Sequence, residues 1–456
     1  MNAPSVASVA EVLADKVTAL ALDRIPASVR TRAEELLIDV VGLCLAARNS
    51  DYMRSLLASV DAGGECTAIG HEAAYNAAAA AIINGTGVHG EDFDDTFEGG
   101  PVHSSAVILP VVLAACERFG RDGRSALKGI VVGIEALCRL SMVVPKAVHK
   151  SGFHPTSVLG TLAAALAASA TLGLDRKQTV DALGNAGSFA SGIIEYLTDG
   201  AWTKRVHPGW AAQAGLQAAR LGAAGFFGPR TVFEGLHGLF QGFARSMEGD
   251  FAVLTDGFGE KWYMDDITFK PYATGTMNQP YVDCALRLAR RGIRAEDIKD
   301  ILCETAEGYV HRLWEPLASK HRPPNAYVAK FSAPFNIAVA FVTGGAGLSA
   351  FTEQTVRDER ILALASKVRY VVNPNDPYPK AYTGHVRMTL MDGTVVEERQ
   401  PHIRGGASEP LTRAEIEEKF RGNCEFGSWP RARADQFLTA VPKFFDGPLD
   451  LSALRG

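Results

Sequence analysis

Apolar residues recur at helical spacing through most of the first half of the chain. Intervals of three and four residues place them on one face of an α-helix, and polar residues separate the segments. The segments predicted as helices are 8–22, 27–47, 72–83, 104–119, 124–143, 157–172, 177–189 and 208–224. Alanine and glycine are frequent in them, and small side chains let helices approach closely. The pattern therefore predicts a tightly packed core of many helices.

The pattern changes near residue 265. Beyond it, strands are predicted at Ile298–Glu304, Val368–Val372, Gly384–Met391 and Val395–Glu398. The Asp392-Gly393 pair between the last two strands predicts a hairpin turn. Further helices are predicted at Ala333–Gly344, Thr412–Phe420 and Asp435–Phe445. The chain is thus predicted to be mainly α, with an all-helical large domain formed by residues 1–267 and 405–456 and a smaller α+β domain formed by residues 268–404.

Composition narrows the class of protein. Hydrophobic residues make up 47% of the chain and charged residues 21%, as in ordinary globular proteins. A net charge of −5 argues against a nucleic-acid partner. The N-terminus lacks a basic segment followed by an apolar one, and apolar runs such as Ala106–Cys116 are too short for a bilayer, so no membrane association is expected. Seven scattered cysteines without a C-x-x-C pair indicate reduced thiols and a cytoplasmic location.

Three segments combine histidines, acids and cations with glycines in an otherwise apolar chain. In the first, residues 152–160, His154 and a proline precede an apolar helix, so His154 is expected at the entrance of that helix. A helix N-terminus offers free N–H groups and partial positive charge, which suit a carboxylate. The other two segments are 92–103, with Asp92 and His103, and 204–210, which begins with Lys204. Together they predict a buried site for a small anionic molecule.

Residues 85–90 match the G-x-G-x-x-G pattern literally. A dinucleotide site needs a strand before this pattern and an apolar helix after it. Here an alanine-rich helix precedes the glycines, and the acidic segment 91–95 follows, where carboxylates would repel a pyrophosphate. We therefore do not interpret the match as a dinucleotide site.

Two kinds of metal site are alternatives. Asp94 and Asp95 resemble the aspartate-rich motif with which helical prenyl-transferring enzymes hold magnesium, but such a site needs a second acidic cluster. The only other plausible pair, at 265–266, lies beside strand-like sequence. His89, Asp92 and His103 offer zinc-type donors, but their spacing matches no strong pattern. The plain alternative is that the acids cap a helix and the histidines are hydrogen-bonded polar residues.

Two lysines are candidates for anion capture. Lys204 is flanked by Trp202, His207 and Trp210, so we do not expect it on an open surface. Lys270 precedes Pro271-Tyr272, where the two predicted domains meet in sequence. An isolated lysine is more often solvated, and this alternative stays open for Lys270. Neither a G-x-S-x-G elbow nor a P-loop nor an H-E-x-x-H motif supports another chemistry.

Taken together, these motifs resemble the MmgE/PrpD superfamily, which includes 2-methylcitrate dehydratase, cis-aconitate decarboxylase and iminodisuccinate epimerase. The resemblance covers nearly the whole chain, from about residue 8 to about residue 445. It rests on Asn84-Gly85…His89…Asp92-Phe93-Asp94-Asp95…His103, Gly152-Phe153-His154-Pro155-Thr156, Asp199-Gly200…Lys204-Arg205…His207…Gly209-Trp210-Ala211-Ala212, Gly225-Phe226…Gly228-Pro229, Lys270-Pro271-Tyr272 and Lys330-Phe331-Ser332-Ala333-Pro334-Phe335.

The resemblance implies a helical large domain with a smaller α+β lid, usually a homodimer, and a site between the domains. It implies a small polycarboxylate substrate and neither a metal nor an organic cofactor. The active-site positions that it transfers to this chain are Asp92, His103, His154, Lys204 and Lys270. His89, Arg205, His207 and Tyr272 are expected to bind substrate.

The residue types suggest roles within that site. The family breaks or makes bonds at a carbon next to a carboxylate, so negative charge develops there and needs cations and donors. Lys204, Lys270 and His154 are expected to supply them. His103 is the predicted general acid or base, because imidazole titrates near neutral pH. Asp92 is predicted to orient an imidazole, and Tyr272 is a weaker candidate for protonating a leaving group.

The chain also departs from the family pattern. Gly275 and Gln279 stand where many relatives have cysteine and histidine, and Ser104-Ser105 replaces the usual proline and glycine after His103. The substrate is therefore left open. Dehydration is the default prediction, with decarboxylation or epimerisation as alternatives, and a non-catalytic carboxylate-binding relative as the alternative of another class.

Overall fold

The computed structural model describes residues 6–456 of the chain. They form two compact units. The first comprises residues up to Gly90, Asp94–Ile267 and Ile416–Gly456; the second comprises Glu91–Phe93 and Thr268–Glu415. The sequence-based boundaries differ from these in two places, because residues 91–93 group with the second unit and that unit continues past residue 404.

The first unit is built from helices, as the 3.6-residue periodicity predicts. Its N-terminal helices are α1 Val9–Ala19, α2 Ala27–Ala47, α3 Asp51–Leu57, α4 Ala77–His89, α5 Ser105–Phe119, α6 Gly123–Val143, α7 Ala147–Lys150, α8 Pro155–Leu172, α9 Arg176–Phe189, α10 Tyr196–Asp199, α11 Thr203–Ala223, α12 Leu239–Ala244 and α13 Ala252–Thr255. Short strands are β1 Cys66–Thr67, β2 Ala74–Tyr75, β3 Thr96–Phe97 and β4 Ile267–Thr268. Strands β1 and β2 pair antiparallel.

Helix α8 lies at the centre of the first unit. Every one of its residues is buried, and it packs against α5, α6, α9 and α11. A helix that is apolar on all sides belongs in a core, and its many alanines let four neighbours approach. With 18 residues, the helix is long and apolar enough to pass as a candidate membrane span, contrary to the expectation that every apolar run is too short. The shorter pair Ala333–Thr343 and Leu348–Arg357 passes the same test only when joined across a bend of 111°.

The second unit combines helices with one mixed sheet. Its helices are α14 Gln279–Ala289, α15 Leu317–His321, α16 Ala326–Ala329, α17 Ala333–Thr343 and α18 Glu359–Ala365, and its strands are β5 Ile298–Thr305, β6 Val368–Val372, β7 Gly384–Leu390 and β8 Val395–Gln400. The strand order is β6-β5-β7-β8, with β5 parallel to β6 and the other pairs antiparallel. Helix α14 packs on β7 and β8, so it covers one face of the sheet. The C-terminal helices α19 Arg413–Phe426 and α20 Arg431–Ala440 follow.

The architecture confirms the predicted mainly α fold with a smaller α+β part. All four strands predicted after residue 265 are present, and the hairpin at Asp392-Gly393 joins β7 to β8 with Gly393 at a φ of 88°. Helix α4 differs most from its prediction, because it ends at His89 instead of residue 83. Helix α11 begins at Thr203, five residues before Pro208, where the helix was predicted to start. Both differences bring candidate site residues into helices.

Candidate active site

A close crossing of α4 and α11 positions much of the candidate site in the first unit. A methyl group on Gly85 would lie 2.5 Å from Cα of Gly209, so the two glycines allow the helix backbones to touch. His89 lies one turn after Gly85 at the end of α4, and His207 precedes Gly209 on α11. The literal dinucleotide motif is therefore part of a packed helix, and its glycines serve helix packing.

An aspartate with two histidines forms the centre of the site. His89 Nδ1 lies 2.7 Å from Oδ2 of Asp94, and His103 Nδ1 lies 3.4 Å from Oδ1 of the same carboxylate. The rings of His89 and His103 meet edge to face with centroids 4.7 Å apart. Asp94 and His89 are buried, whereas the side chain of His103 is 12% exposed. His103 is thus the imidazole of this group with some access to solvent or substrate.

The neighbouring carboxylate, Asp95, anchors the segment that carries His103. It accepts hydrogen bonds from the backbone N–H and the hydroxyl of both Ser104 and Ser105, at the start of α5. The carbonyl oxygen of Asp95 lies 2.8 Å from His103 Nδ1. Ser104-Ser105, which departs from the family pattern, therefore has a clear structural use here. It saturates a buried carboxylate and fixes the backbone beside His103.

His154 occupies the predicted position at the entrance of α8. It is the residue that precedes the first helical turn, and Pro155 begins the helix. Its N–H donates to the carbonyl of Gly192, 2.8 Å away, and Phe153 pairs with Ile193 in a short antiparallel bridge. His154 Nδ1 lies 3.1 Å from Nδ1 of His207, so one of these atoms donates and the other accepts. Its ring also stacks on His89, with centroids 5.7 Å apart.

Burial keeps the imidazoles of His89, His154 and His207 neutral at pH 7, because it lowers the pKa of each. It lowers the pKa of both His89 and His207 to about 4, with the nearby positive charge of Lys204 acting in the same direction. Burial, with the surrounding histidines and Lys204, also holds the pKa of His154 well below its usual value. Burial alone would raise the pKa of Asp94, but the adjacent His103 and His89 outweigh it and hold that pKa well below the ordinary range. Asp94 is therefore ionised.

Lys204 and Arg205 lie in the first turn of α11. Lys204 is partly buried, in agreement with the expectation that it is not on an open surface. The guanidinium of Arg205 lies 4.3 Å from the ring centroid of Tyr52, in a cation–π contact. Lys204 therefore supplies positive charge beside the imidazoles, and Arg205 is held against an aromatic ring.

The remaining predicted residues, Asp92, Lys270 and Tyr272, belong to the second unit. Lys270 Nζ donates to the carbonyl oxygen of Asp92 at 2.8 Å and lies 3.2 Å from its Oδ1. Lys270 is 1% exposed, which excludes the solvated alternative. Tyr272 donates to Oδ1 of Asp283 at 2.6 Å, and burial, then the charge of Asp283, raises the pKa of Tyr272. That hydroxyl is poorly suited to give up its proton.

The Gln279 that replaces a family histidine stabilises the same segment of the second unit. It is fully buried at the start of α14, and its Nε2 donates to the carbonyls of Tyr272 and Thr274 at 3.0 and 2.9 Å. The amide therefore fixes the backbone after Lys270. A second buried lysine, Lys330, pairs with Oε2 of Glu91 at 2.6 Å.

The geometry also bears on the metal alternatives. His89, Asp94 and His103 have donor atoms within 4.8 Å of one another, so they could in principle surround an ion. However, the 2.7 Å separation of His89 from Asp94, and the 2.8 Å separation of His103 from the Asp95 carbonyl, are hydrogen-bond distances. These Nδ1 atoms are engaged in hydrogen bonds, and the carboxylate of Asp95 already accepts four hydrogen bonds from Ser104 and Ser105. An ion bound through these Nδ1 atoms would therefore have to displace both hydrogen bonds.

The comparisons with known proteins agree with this fold. Residues 11–252 match the MmgE/PrpD N-terminal domain, and residues 272–441 match the MmgE/PrpD C-terminal domain. The chain therefore belongs to the MmgE/PrpD family, as its motifs indicated. It is 28% identical to the cis-aconitate decarboxylase-like protein oryM of Aspergillus oryzae, over 90% of this chain and 89% of that protein.

Further relatives carry a related name. The cis-aconitate decarboxylase of Homo sapiens is 30% identical over 76% of this chain and 72% of its own length. The cis-aconitate decarboxylase of Aspergillus terreus is 28% identical over 88% of this chain and 86% of its own length. These three relatives are thus named as cis-aconitate decarboxylases or as a protein like one.

Sequence reasoning missed Asp94 as a partner of the imidazoles. It assigned the orienting role to Asp92 and considered Asp94 only in a magnesium motif. The structure gives the His89 and His103 contacts to Asp94. The signal was present as an acid five residues after His89, but which of three neighbouring acids faces the histidines depends on the backbone path. Asp92 itself has a φ of 54°, which turns the chain at that point.

Proposed function

We propose that this chain is a cofactor-independent lyase that decarboxylates cis-aconitate or a close tricarboxylate analogue. The observation that carries the proposal is the alignment of cis-aconitate decarboxylase-like proteins along most of the chain, through the region that holds the buried aspartate–histidine group. The matched relatives favour decarboxylation over the dehydration that was the default prediction. The roles of His103, His154, Lys204, Lys270 and Asp92 remain part of this proposal.

The proposed reaction needs a proton donor and a positive field. When CO2 leaves the CH2-carboxylate arm of cis-aconitate, its bonding pair forms a new C=C bond, and the old double-bond pair moves to a carbon next to another carboxylate. That carbon then accepts one proton, which gives 2-methylenesuccinate. The trianion and one proton thus yield a dianion and CO2. The transient negative charge must be stabilised and then protonated.

The first unit supplies groups for both tasks. His103 is the proposed acid, because its imidazole is held through Nδ1 and is the partly accessible member of the group. Lys204 contributes positive charge close to the imidazoles. Neutral His154 at the start of α8 is the proposed hydrogen-bonding group for a substrate carboxylate. Lys270 of the second unit, buried beside Asp92, is the proposed second cation.

The test is a proton NMR time course in D2O with EDTA-treated protein. Cis-aconitate is expected to give 2-methylenesuccinate with one deuterium on its saturated CH2 carbon, together with CO2. The parallel substrates are citrate, 2-methylcitrate and iminodisuccinate. An alkene formed from citrate or 2-methylcitrate without CO2 would instead establish a dehydratase, and deuterium exchange without net product would establish an epimerase. Silence with all four would favour a non-catalytic binding protein.

His103→Gln gives the matched test of the proposed acid. Glutamine keeps a polar side chain but cannot carry the proton, so turnover is expected to fall on the order of 10²-fold or more. His237→Gln is the control, because His237 is exposed in the same unit. Equal loss in both variants, or no loss in His103→Gln, would contradict the assigned role.

We further propose a cytoplasmic homodimer with no nucleic-acid or membrane partner, from the family resemblance and the composition. Light scattering during size-exclusion chromatography is expected to give twice the chain mass. A monomer mass at micromolar concentration would contradict the dimer.

A further inference from the structure

We propose that Asp94 is a positioning residue: its carboxylate keeps hydrogen on Nδ1 of His89 by a hydrogen bond, and it places negative charge beside Nδ1 of His103, whose hydrogen is held by the Asp95 carbonyl, so that Nε2 of His103 is the proton-transferring atom. This inference rests on the proposed function for the role of His103. The hydrogen-bond arrangement of Asp94, His89 and His103 lies within the first unit and does not depend on which reaction the protein catalyses.

The surroundings of His103 Nδ1 fix its hydrogen. Two acceptor atoms lie close to Nδ1, the carbonyl oxygen of Asp95 at 2.8 Å and Oδ1 of Asp94 at 3.4 Å, and only the carbonyl is hydrogen-bonded to the ring. A carbonyl and an ionised carboxylate only accept hydrogen bonds. Nδ1 must therefore carry a hydrogen, which donates to the carbonyl close to the negative charge of Asp94. The exchangeable position of a neutral His103 is then Nε2.

The same reasoning applies to His89. Its Nδ1 lies 2.7 Å from Oδ2 of Asp94, so it donates to that carboxylate. Its Nε2 is buried and has no hydrogen-bond partner among residues 6–456. A buried nitrogen without a partner is tolerated more easily as a lone pair than as an N–H group, because the stronger penalty falls on the unpaired donor. Asp94 therefore selects the Nδ1–H tautomer of His89, the same tautomer that the Asp95 carbonyl selects in His103.

Asp94 is suited to this role because its neighbour is otherwise engaged. Asp95 receives four hydrogen bonds from Ser104 and Ser105, so its carboxylate is saturated. Asp94 is fully buried: its Oδ2 accepts from His89, and its Oδ1 lies 3.4 Å from His103 Nδ1 without a hydrogen bond. A supporting carboxylate of this kind orients an imidazole and stabilises the imidazolium form, as in other acid–base sites. His103 passes through that form when it gives up and regains its proton.

Asp94→Asn creates a defined conflict. Asparagine has one accepting oxygen and one donating NH2 group, whereas the carboxylate accepts on both sides. With the NH2 group toward His89, two donors meet across 2.7 Å, and His89 must move its hydrogen to Nε2 or rotate away. With the NH2 group toward His103, that ring keeps its bond to the Asp95 carbonyl, but a donor replaces the negative charge 3.4 Å from its Nδ1. A side chain of nearly the same size thus changes either the hydrogen-bond direction at His89 or the charge beside His103.

The experiment combines long-range ¹H–¹⁵N spectra of ¹⁵N-histidine protein with steady-state kinetics on cis-aconitate. His89→Gln and His103→Gln assign the two rings. In the unmodified protein both are expected to carry hydrogen on Nδ1. Asp94→Asn is expected either to move the His89 hydrogen to Nε2 or to shift the His103 Nδ1 resonance, and to lower kcat on the order of 10²-fold or more, with KM little changed. Asp181→Asn is the control, since Asp181 is equally buried but accepts from Lys177 and the backbone of Gly228.

The outcomes separate the two claims. An Nε2–H tautomer of either ring in the unmodified protein would overturn the inference, even if Asp94→Asn failed to fold. Unchanged tautomers and unchanged kcat in a folded Asp94→Asn would overturn it as well. If the unmodified protein had no decarboxylase activity, the proposed function would fail while the spectra still decided how Asp94 holds the two imidazoles.

Discussion

The crossing of α4 and α11 is the most direct test of how packing positions the site. In Gly85→Ala the new methyl carbon would lie 2.5 Å from Cα and 2.7 Å from N of Gly209. Carbon atoms pack at about 3.5–4.0 Å, so the helices must separate by roughly 1 Å. Both contacts are backbone atoms, which cannot rotate away.

The expected stability change follows from two opposing terms. Overpacking costs about 1–3 kcal/mol, and rigid backbone contacts favour the upper end of that range. Alanine regains up to about 1 kcal/mol over glycine inside a helix. The free energy of unfolding is therefore expected to fall by about 2 kcal/mol. Because His89 and His207 lie on the two separated helices, a shift near 1 Å is expected to lower kcat by up to about 10²-fold.

The assay is thermal unfolding by circular dichroism with kcat on cis-aconitate, and Gly422→Ala is the matched control. Gly422 lies in α19 with nothing within 4 Å of an added methyl group, so alanine there is expected to stabilise by about 0.5–1 kcal/mol. A Gly85→Ala protein as stable and as active as Gly422→Ala would refute the reasoning. Lost stability with unchanged kcat would limit Gly85 to a packing role.

Two further predictions concern buried charge. In the unfolded chain His89 has the ordinary histidine pKa of 6.5, whereas burial lowers its pKa in the native protein to about 4. Between these two pH values the unfolded state binds the proton more tightly, so the free energy of unfolding falls as the pH drops from 6.5 to 4. The loss from this group is about 3 kcal/mol. Urea unfolding should show that His89→Gln loses less stability over that pH range than the unmodified protein. The control His237→Gln, at an exposed histidine, should lose as much stability as the unmodified protein. The same dependence of stability on pH in both variants would contradict this prediction. Lys419 Nζ lies 2.7 Å from Oδ1 of Asp39, a buried carboxyl whose pKa burial raises to about 6. Lys419→Met should therefore lower the free energy of unfolding by about 3 kcal/mol at pH 7, and by less at pH 5, where Asp39 binds a proton. Adding Asp39→Asn to this variant should recover most of the lost stability. A loss of stability that does not depend on pH would contradict the argument.

The periodicity of the sequence was enough for the element types. Val368–Val372 and Ala27–Ala47 coincide with their predictions. His154 was correctly placed before α8, since Pro155 fits the first turn of a helix. The family and the mainly α architecture also followed from sequence motifs, and the domain matches confirm them.

Tertiary structure alone decided the helix ends that carry the site. The predicted helices ended at residue 83, before Gly85 and Gly87, and began at Pro208, and local propensity disfavours glycine and proline inside helices. The structure continues both helices through them, since the glycines permit the contact with Gly209 and its helix.

The same holds for the choice among the clustered acids. Residues 91–95 offer four carboxylates in sequence, and composition cannot say which faces an imidazole. Because of the backbone path, the carboxylate of Asp92 contacts Lys270, that of Asp94 contacts His89 and that of Asp95 contacts Ser105. Sequence determined that acids, imidazoles and lysines would be used together, because their chemistry suits an anionic substrate. Only packing determined the pairs, because hydrogen-bond partners are set by distances of a few ångströms between segments far apart in the chain.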